Sequence, residues 1–227
     1  TALRAAKRSA IAPTTAVRRK PNSSIVVGTR LVKNGEADAF LSAGSTGAVM
    51  PAAVPMLRPI RGVDRPAVGS PVPSATGTFF LIDMGANVDT RPQHLLQFAH
   101  LGTIYAQDLM GVEEPRVGLL NIGTEPGKGN EQTLETYGLL SESPALNFVG
   151  NVEGREVIRG ACDVLVCDGF VGNVLIKFYE SFGGFMEQYH RRAEIAEQRA
   201  AEAARGREKL QDARRTAARE ILSRIER

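Results

Sequence analysis

The sequence is poor in the residues that build metal centres and membrane spans. Its 227 residues include three histidines, His94, His100 and His190, and none has ligand-like spacing to another. That argues against a metal site. The only two cysteines, Cys162 and Cys167, flank the run CDVLVC. Five residues apart along one strand, they point to opposite faces and cannot pair with each other. They read as reduced, small apolar core residues of a cytoplasmic protein. No run of about 18 apolar residues occurs, so no segment is expected to cross a bilayer as a helix. The basic N-terminal stretch lacks the apolar core of a signal peptide. No Ser-His-Asp or Cys-His set offers a protein nucleophile.

Charge is unevenly spread. Residues 1–20 carry six basic groups and no acid, and residues 186–227 carry eleven basic and eight acidic groups. The net charge of +3 therefore leaves residues 21–185 mildly acidic, with 11 basic against 17 acidic groups. No basic stripe with interleaved aromatics is present, which excludes a nucleic-acid partner.

What the body does contain is one repeated phrase: an apolar run, a glycine-rich turn, then a helical pattern. It appears in ADAFLSAGSTGAVMPAA, in TFFLIDMGAN and the residues after it, in PRVGLLNIGTEPGKGNEQTLETYGLLSE, and in CDVLVCDGFVGNVLIKFYESFG. The runs AFLSA, FFLID, VGLLNI and VLVCD lack polar alternation, as strands buried on both faces do. SSIVVGTRLVKNG, RPAVGSPVPS and LNFVGNVEGREVIRG are candidate further strands. Strands alternating with helices predict an α/β fold with a mostly parallel sheet. After Phe185 the chain turns Ala-, Glu- and Arg-rich, predicting a long amphipathic helix or a pair broken near Gly206. The expected division is an α/β domain over 1–185, irregular over 1–16, followed by a charged helical extension over 186–227. FYESFGGFMEQY, at the junction, is either a packed helix end or a membrane-contacting segment.

The glycine turns fall where a parallel sheet binds ligands, beyond the carboxyl ends of its strands. Helix N-termini there present free N–H groups and positive dipole ends to an anion. None of the turns is a dinucleotide fingerprint. GTEPGKGN is not a Walker A loop, since the spacing before Lys128 is one residue short and no Ser or Thr follows it. Lys128, between Gly127 and Gly129, either clamps a phosphate oxygen or is a solvated loop lysine. Asn173 either binds a ligand or caps its helix, and Asp168, ahead of the Gly169 and Gly172 turn, either orients a neighbour or caps. Gly44, Ser45, Thr46 and Gly47 form another turn, and Asp83 and Asn87 another. With no protein nucleophile in view, the bound anion itself is expected to react.

AVRRKPNSSIVVGTRLVKNGEADAFLSAGSTGAVM, FLIDMGANVD, VGLLNIGTEPGKGNE, NFVGNVEGR and DVLVCDGFVGNVLIK together resemble the PlsX family of phosphate acyltransferases, in unbroken order from about Val17 to about Ser181. The resemblance implies a three-layer α/β/α fold of the phosphotransacetylase and isocitrate dehydrogenase type. It implies transfer of a fatty acyl chain from acyl carrier protein to inorganic phosphate, for phospholipid synthesis and without a cofactor. It further implies a homodimer and peripheral attachment to an anionic membrane surface at the inner face of the cell membrane. Lys128 and Asn173 match the family's active-site lysine and asparagine. Gly44, Ser45, Thr46, Gly47, Asn87, Gly127, Gly129, Asn130, Asp168, Gly169 and Gly172 are the accompanying candidates for phosphate or substrate binding. The family's opening strand with its DAMGGD-type motif, and its glycine-rich return after the long helices, have no counterpart in these residues. The sequence therefore reads as a fragment or altered chain. Two other functional readings stand beside the enzyme: an incomplete homologue that binds a partner or membrane without turnover, and a phosphotransacetylase using coenzyme A.

Overall fold

The computed structural model describes residues 19–43 and 46–225. The irregular start expected over 1–16, and Gly44 and Ser45, lie outside them. The chain divides into two units between Leu175 and Ile176.

The first unit is built on a five-stranded sheet. Its strands are β1 (Gly69–Ser74), β2 (Gly77–Ile82), β3 (Arg116–Asn121), β4 (Asn147–Glu153) and β5 (Val164–Val166). Their order is β1-β2-β5-β3-β4. Only the β1–β2 pair is antiparallel. The predicted mostly parallel α/β sheet is present. β5 lies at its centre, pairing Phe80 with Val164 on one side and Val117 with Val164 on the other. All three residues of β5 are fully buried. A strand covered on both faces gains from apolar side chains at every position, which is why VLV carries no alternation. β1, with Pro71 and Pro73, occupies an end of the sheet, where missing N–H donors are tolerated.

In three of the four repeats the helix follows its strand as predicted. α1 (Ser24–Lys33) and α2 (Thr46–Leu57) precede the sheet, and α3 (Pro92–Met110) follows β2. α4 (Glu131–Ser141) follows β3, the single turn α5 (Gly154–Val157) follows β4, and α6 (Gly169–Ile225) follows β5. α3 buries Leu95, Phe98, Ala99, Gly102 and Ala106, a three-and-four spacing that sets one face on the sheet. A side chain at Gly102 would run into Val164 and Ile82, so glycine there lets α3 lie close on β5 and β2. Gly111 ends α3 in the left-handed conformation, with φ 72°. Leu140 of α4 joins the same core beside Val117 and Leu119. Both cysteines are buried and free. Burial pushes the Cys162 thiol up to about 12 and raises that of Cys167 as well. They are inert core residues, as expected.

Two expectations fail. SSIVVGTRLVKNG supplies α1, not a strand. Val26 and Thr29, three apart, share its buried side, and the Phe40 ring sits where a side chain on Gly28 would be. AFLSA forms no strand. Leu41 is 96% exposed, and no described strand pairs with the segment. An apolar run becomes a strand only where ladder partners and a face to bury await it, and Phe40 is spent on α1 instead.

In the second unit α6 continues unbroken through Gly206. Phe178, Phe182, Phe185 and Tyr189 form an exposed row along it, with neighbouring ring centroids 5.9, 6.2 and 6.3 Å apart.

Candidate active site

β2, β5 and β3 are parallel neighbours, so their carboxyl ends open on one edge. The segments after them are Asp83–Asn87, Asp168–Gly169 and residues 122–130, leading into α3, α6 and α4 respectively. Three helix N-termini therefore face one edge of the sheet.

The turn after β2 is organised by a buried carboxylate. Asp83 Oδ1 accepts N–H groups of Val68, Gly85 and Ala86 at 3.2, 3.1 and 3.0 Å. Oδ2 accepts the Asn87 backbone N–H and its side-chain amide, each at 2.8 Å. The Asn87 amide also donates to the Pro66 carbonyl at 2.9 Å. Its work is to hold the turn, and its backbone carbonyl accepts the Gly169 N–H at 2.8 Å.

That bond docks the start of α6 on the turn. A side chain on Gly169 would strike the Asn87 backbone, and one on Gly172 would overlap the Asp83 carbonyl. Both glycines serve close approach of helix to turn. Asn173, half-buried, lays its amide against Gly85, which adopts φ 127°. Sequence reasoning paired neither Asn173 with Gly85 nor Asp83 with five N–H donors. Asp168 caps α6, its Oδ1 accepting the Val171 N–H at 2.8 Å.

The Lys128 loop follows β3, beside β5. Lys128 is exposed and makes no ion pair among the described residues. Gly129 takes φ 109°, a conformation that favours glycine, and Thr133 and Asn121 occupy the space a side chain would need. Gly127 has open space around it. Asn130 caps α4, its Oδ1 accepting the Thr133 N–H at 2.9 Å. The loop is tied by two residues that sequence reasoning missed, Asn121 at the end of β3 and Asn151 within the neighbouring β4. Gln132, in the first turn of α4, donates to the Thr90 carbonyl at 2.5 Å and to its hydroxyl at 2.7 Å, linking the Lys128 segment to the start of α3.

At that start His94 is buried, its Nδ1 accepting the Arg91 N–H at 3.1 Å. Burial, then the charges of Arg91 and Arg65, lower its pKa and keep the ring neutral. Thr46 and Gly47 open α2. A cavity of about 330 Å³, lined by Thr103, Gln107, Glu113, Glu114 and the 144–147 segment, lies at the opposite edge, where β3 and β4 begin; none of the candidate residues lines it.

A family model described as fatty acid synthesis protein matches residues 8–205. A phosphate acyltransferase of Desulfitobacterium hafniense (strain DSM 10664 / DCB-2) is 57% identical over 177 residues, covering 78% of this chain and 53% of that protein. One from Heliobacterium modesticaldum (strain ATCC 51547 / Ice1) is 56% identical over 168 residues, covering 74% and 50%. The chain thus spans about half the length of the curated relatives it matches. A branched-chain phosphotransacylase from Enterococcus faecalis V583 shares the fold, with a TM-score of 0.52 at 20% identity over 72% of this chain and 67% of that one. On the family match over most of its residues, this chain belongs to the fatty acid synthesis protein family, the PlsX family whose members bear the name phosphate acyltransferase.

Proposed function

We propose that this chain carries the phosphate-binding centre of an acyltransferase that moves a fatty acyl chain from acyl carrier protein to inorganic phosphate. The observation that carries this reading is the pairing of β5 with both β2 and β3, which sets the Asn173 turn between the Asp83–Asn87 turn and the Lys128 loop. An anion at that edge meets helix N-termini, glycine-lined backbone and the Lys128 ammonium, which makes no ion pair among the described residues.

The reaction needs no protein nucleophile. A phosphate oxygen attacks the thioester carbonyl carbon and forms a C–O bond, and the carbonyl oxygen takes the negative charge. Collapse breaks the C–S bond. The carrier thiolate leaves and takes up a proton, and acyl phosphate remains. Lys128 holds the phosphate and offsets developing charge, and Asn173 orients it from the α6 turn. Preorganised donors of this kind act chiefly by electrostatics and positioning.

The exposed aromatic row of α6 supports pairing of two copies, and the basic ends support peripheral contact with an anionic membrane surface at the cytoplasmic face. No described helix is long and apolar enough to cross a membrane.

The test is release of free carrier thiol by the purified chain. Release that requires inorganic phosphate supports the reading. Release independent of phosphate, or seen only with an acyl-coenzyme A donor, overturns it.

A further inference from the structure

The Lys128 loop is exposed at its tip, yet its backbone is held at two points. Asn121, the last residue of β3, donates one amide hydrogen to the Lys128 carbonyl at 2.9 Å and the other to Asn151 Oδ1 at 3.0 Å. Its Oδ1 accepts the Ile122 N–H at 2.8 Å. These partners leave one orientation for the amide, because a flip would aim oxygen at the Lys128 carbonyl and NH₂ at the Ile122 N–H. Asn151, on β4 and 6% exposed, passes the restraint on, its Nδ2 donating to the Glu125 carbonyl at 2.8 Å. Gly129, at φ 109°, leaves room for the Asn121 amide against the loop. Two side-chain amides on paired strands thus grip the carbonyls of residues 125 and 128. Both amide hydrogens and the oxygen of Asn121 are engaged in these bonds.

We propose that Asn121 and Asn151 are positioning residues that fix the backbone of the Lys128 loop, and so set the affinity for inorganic phosphate. The second half of this statement rests on the function proposed above; the first half does not. An amide is required at both places, because each must present donors to carbonyl oxygens. A carboxylate at 151 keeps the size and the bond from Asn121 but loses the donor to Glu125 and sets oxygen against oxygen.

Two readouts on the full chain separate the halves. The first is tryptic cleavage after Lys128, followed by mass spectrometry. Asn151→Asp is expected to speed cleavage there about tenfold or more, with cleavage elsewhere unchanged; rates within about twofold of wild type overturn the proposal. Asn121→Ser removes the donor bonds of residue 121 to the Lys128 carbonyl and to Asn151 and gives the same reading should Asn151→Asp fold poorly.

The second readout is steady-state kinetics. The variants are expected to raise KM for phosphate about tenfold or more, while KM for the acyl donor and kcat at saturating phosphate stay within about threefold. Equal rises in both KM values, or a fall in kcat alone, overturn the positioning role in phosphate affinity. A wild-type chain that shows no phosphate-dependent thiol release, and whose Lys128 bond phosphate does not protect, overturns the function proposed above. The cleavage comparison between variants still decides whether the amide pair holds the loop.

Discussion

The turn that starts α6, in the unit ending at Leu175, and the helix from Ile176 onward use glycine in opposite ways. In the first, Gly172 lies where the Asp83 carbonyl leaves no room for a side chain, and Gly169 lies likewise against Asn87. In the second, Gly183, Gly184 and Gly206 have nothing within 4 Å of where a side chain would start. The first unit is held by contacts between residues far apart in the chain, and its turns have one way to fit. The second is held by its own i to i+4 ladder, and its aromatic side chains lie on the surface. A substitution should therefore cost stability in the first unit and cost association, or nothing, in the second.

The largest effect is expected at Asp83. Asp83→Ala leaves five N–H groups without their shared acceptor in a buried turn. Hydrogen bonds to a charged group contribute about 1.5–3 kcal/mol each and are not additive, so thermal melting should show a loss of about 4 kcal/mol or an unfolded chain. Gly172→Ala comes next. A methyl forced against the Asp83 carbonyl costs about 1–3 kcal/mol, which for a chain of this size lowers Tm by roughly 2–12 °C. Gly183→Ala is the matched control in the second unit. With open space around it, the exchange should raise helix content and stabilise that helix by about 1 kcal/mol, read by circular dichroism. A melting loss at Gly183 equal to that at Gly172 would erase the contrast.

The smallest effect is pH dependence in the first unit. His94 has its pKa lowered on folding from the ordinary 6.5. The unfolded chain therefore binds more protons than the folded one as pH falls through about 6.5. The stability tied to this ring is present above that value and is lost as pH drops below it. Melting from pH 7.5 to 5.5 should show this loss, and His94→Gln should flatten it.

Legibility differs between the same kinds of contact. FFLI, VGLL and VLV were readable as strands because burial on both faces demands apolar side chains without a gap. AFLSA likewise lacks polar alternation and forms no strand, since such a run does not supply its own ladder partner. SSIVVGTRLVK, rich in β-branched residues, is helical because Val26 and Thr29 find one packed side and Phe40 covers Gly28. At the candidate site, Lys128 and Asn173 were visible through the glycines around them. Asn121 and Asn151 were not. Their partners include main-chain carbonyls 7 and 26 residues away, and a carbonyl has no letter in a sequence. The only trace was an asparagine at the end of β3 and another within β4, beside the loop they hold. Asp168 and Asn130 were singled out by their glycine neighbours, and the structure shows each capping a helix, a role the sequence offered for Asp168 and not for Asn130.

One measurement bears most directly on the idea that this edge captures an inorganic anion through the Lys128 ammonium. Inorganic phosphate is titrated calorimetrically into the wild-type chain and into Lys128→Ala, with melting curves showing both folded. Saturable binding is expected for the wild type and a loss of about tenfold or more in the variant, in line with the removal of one charged donor. Equal affinity in the two proteins would contradict it.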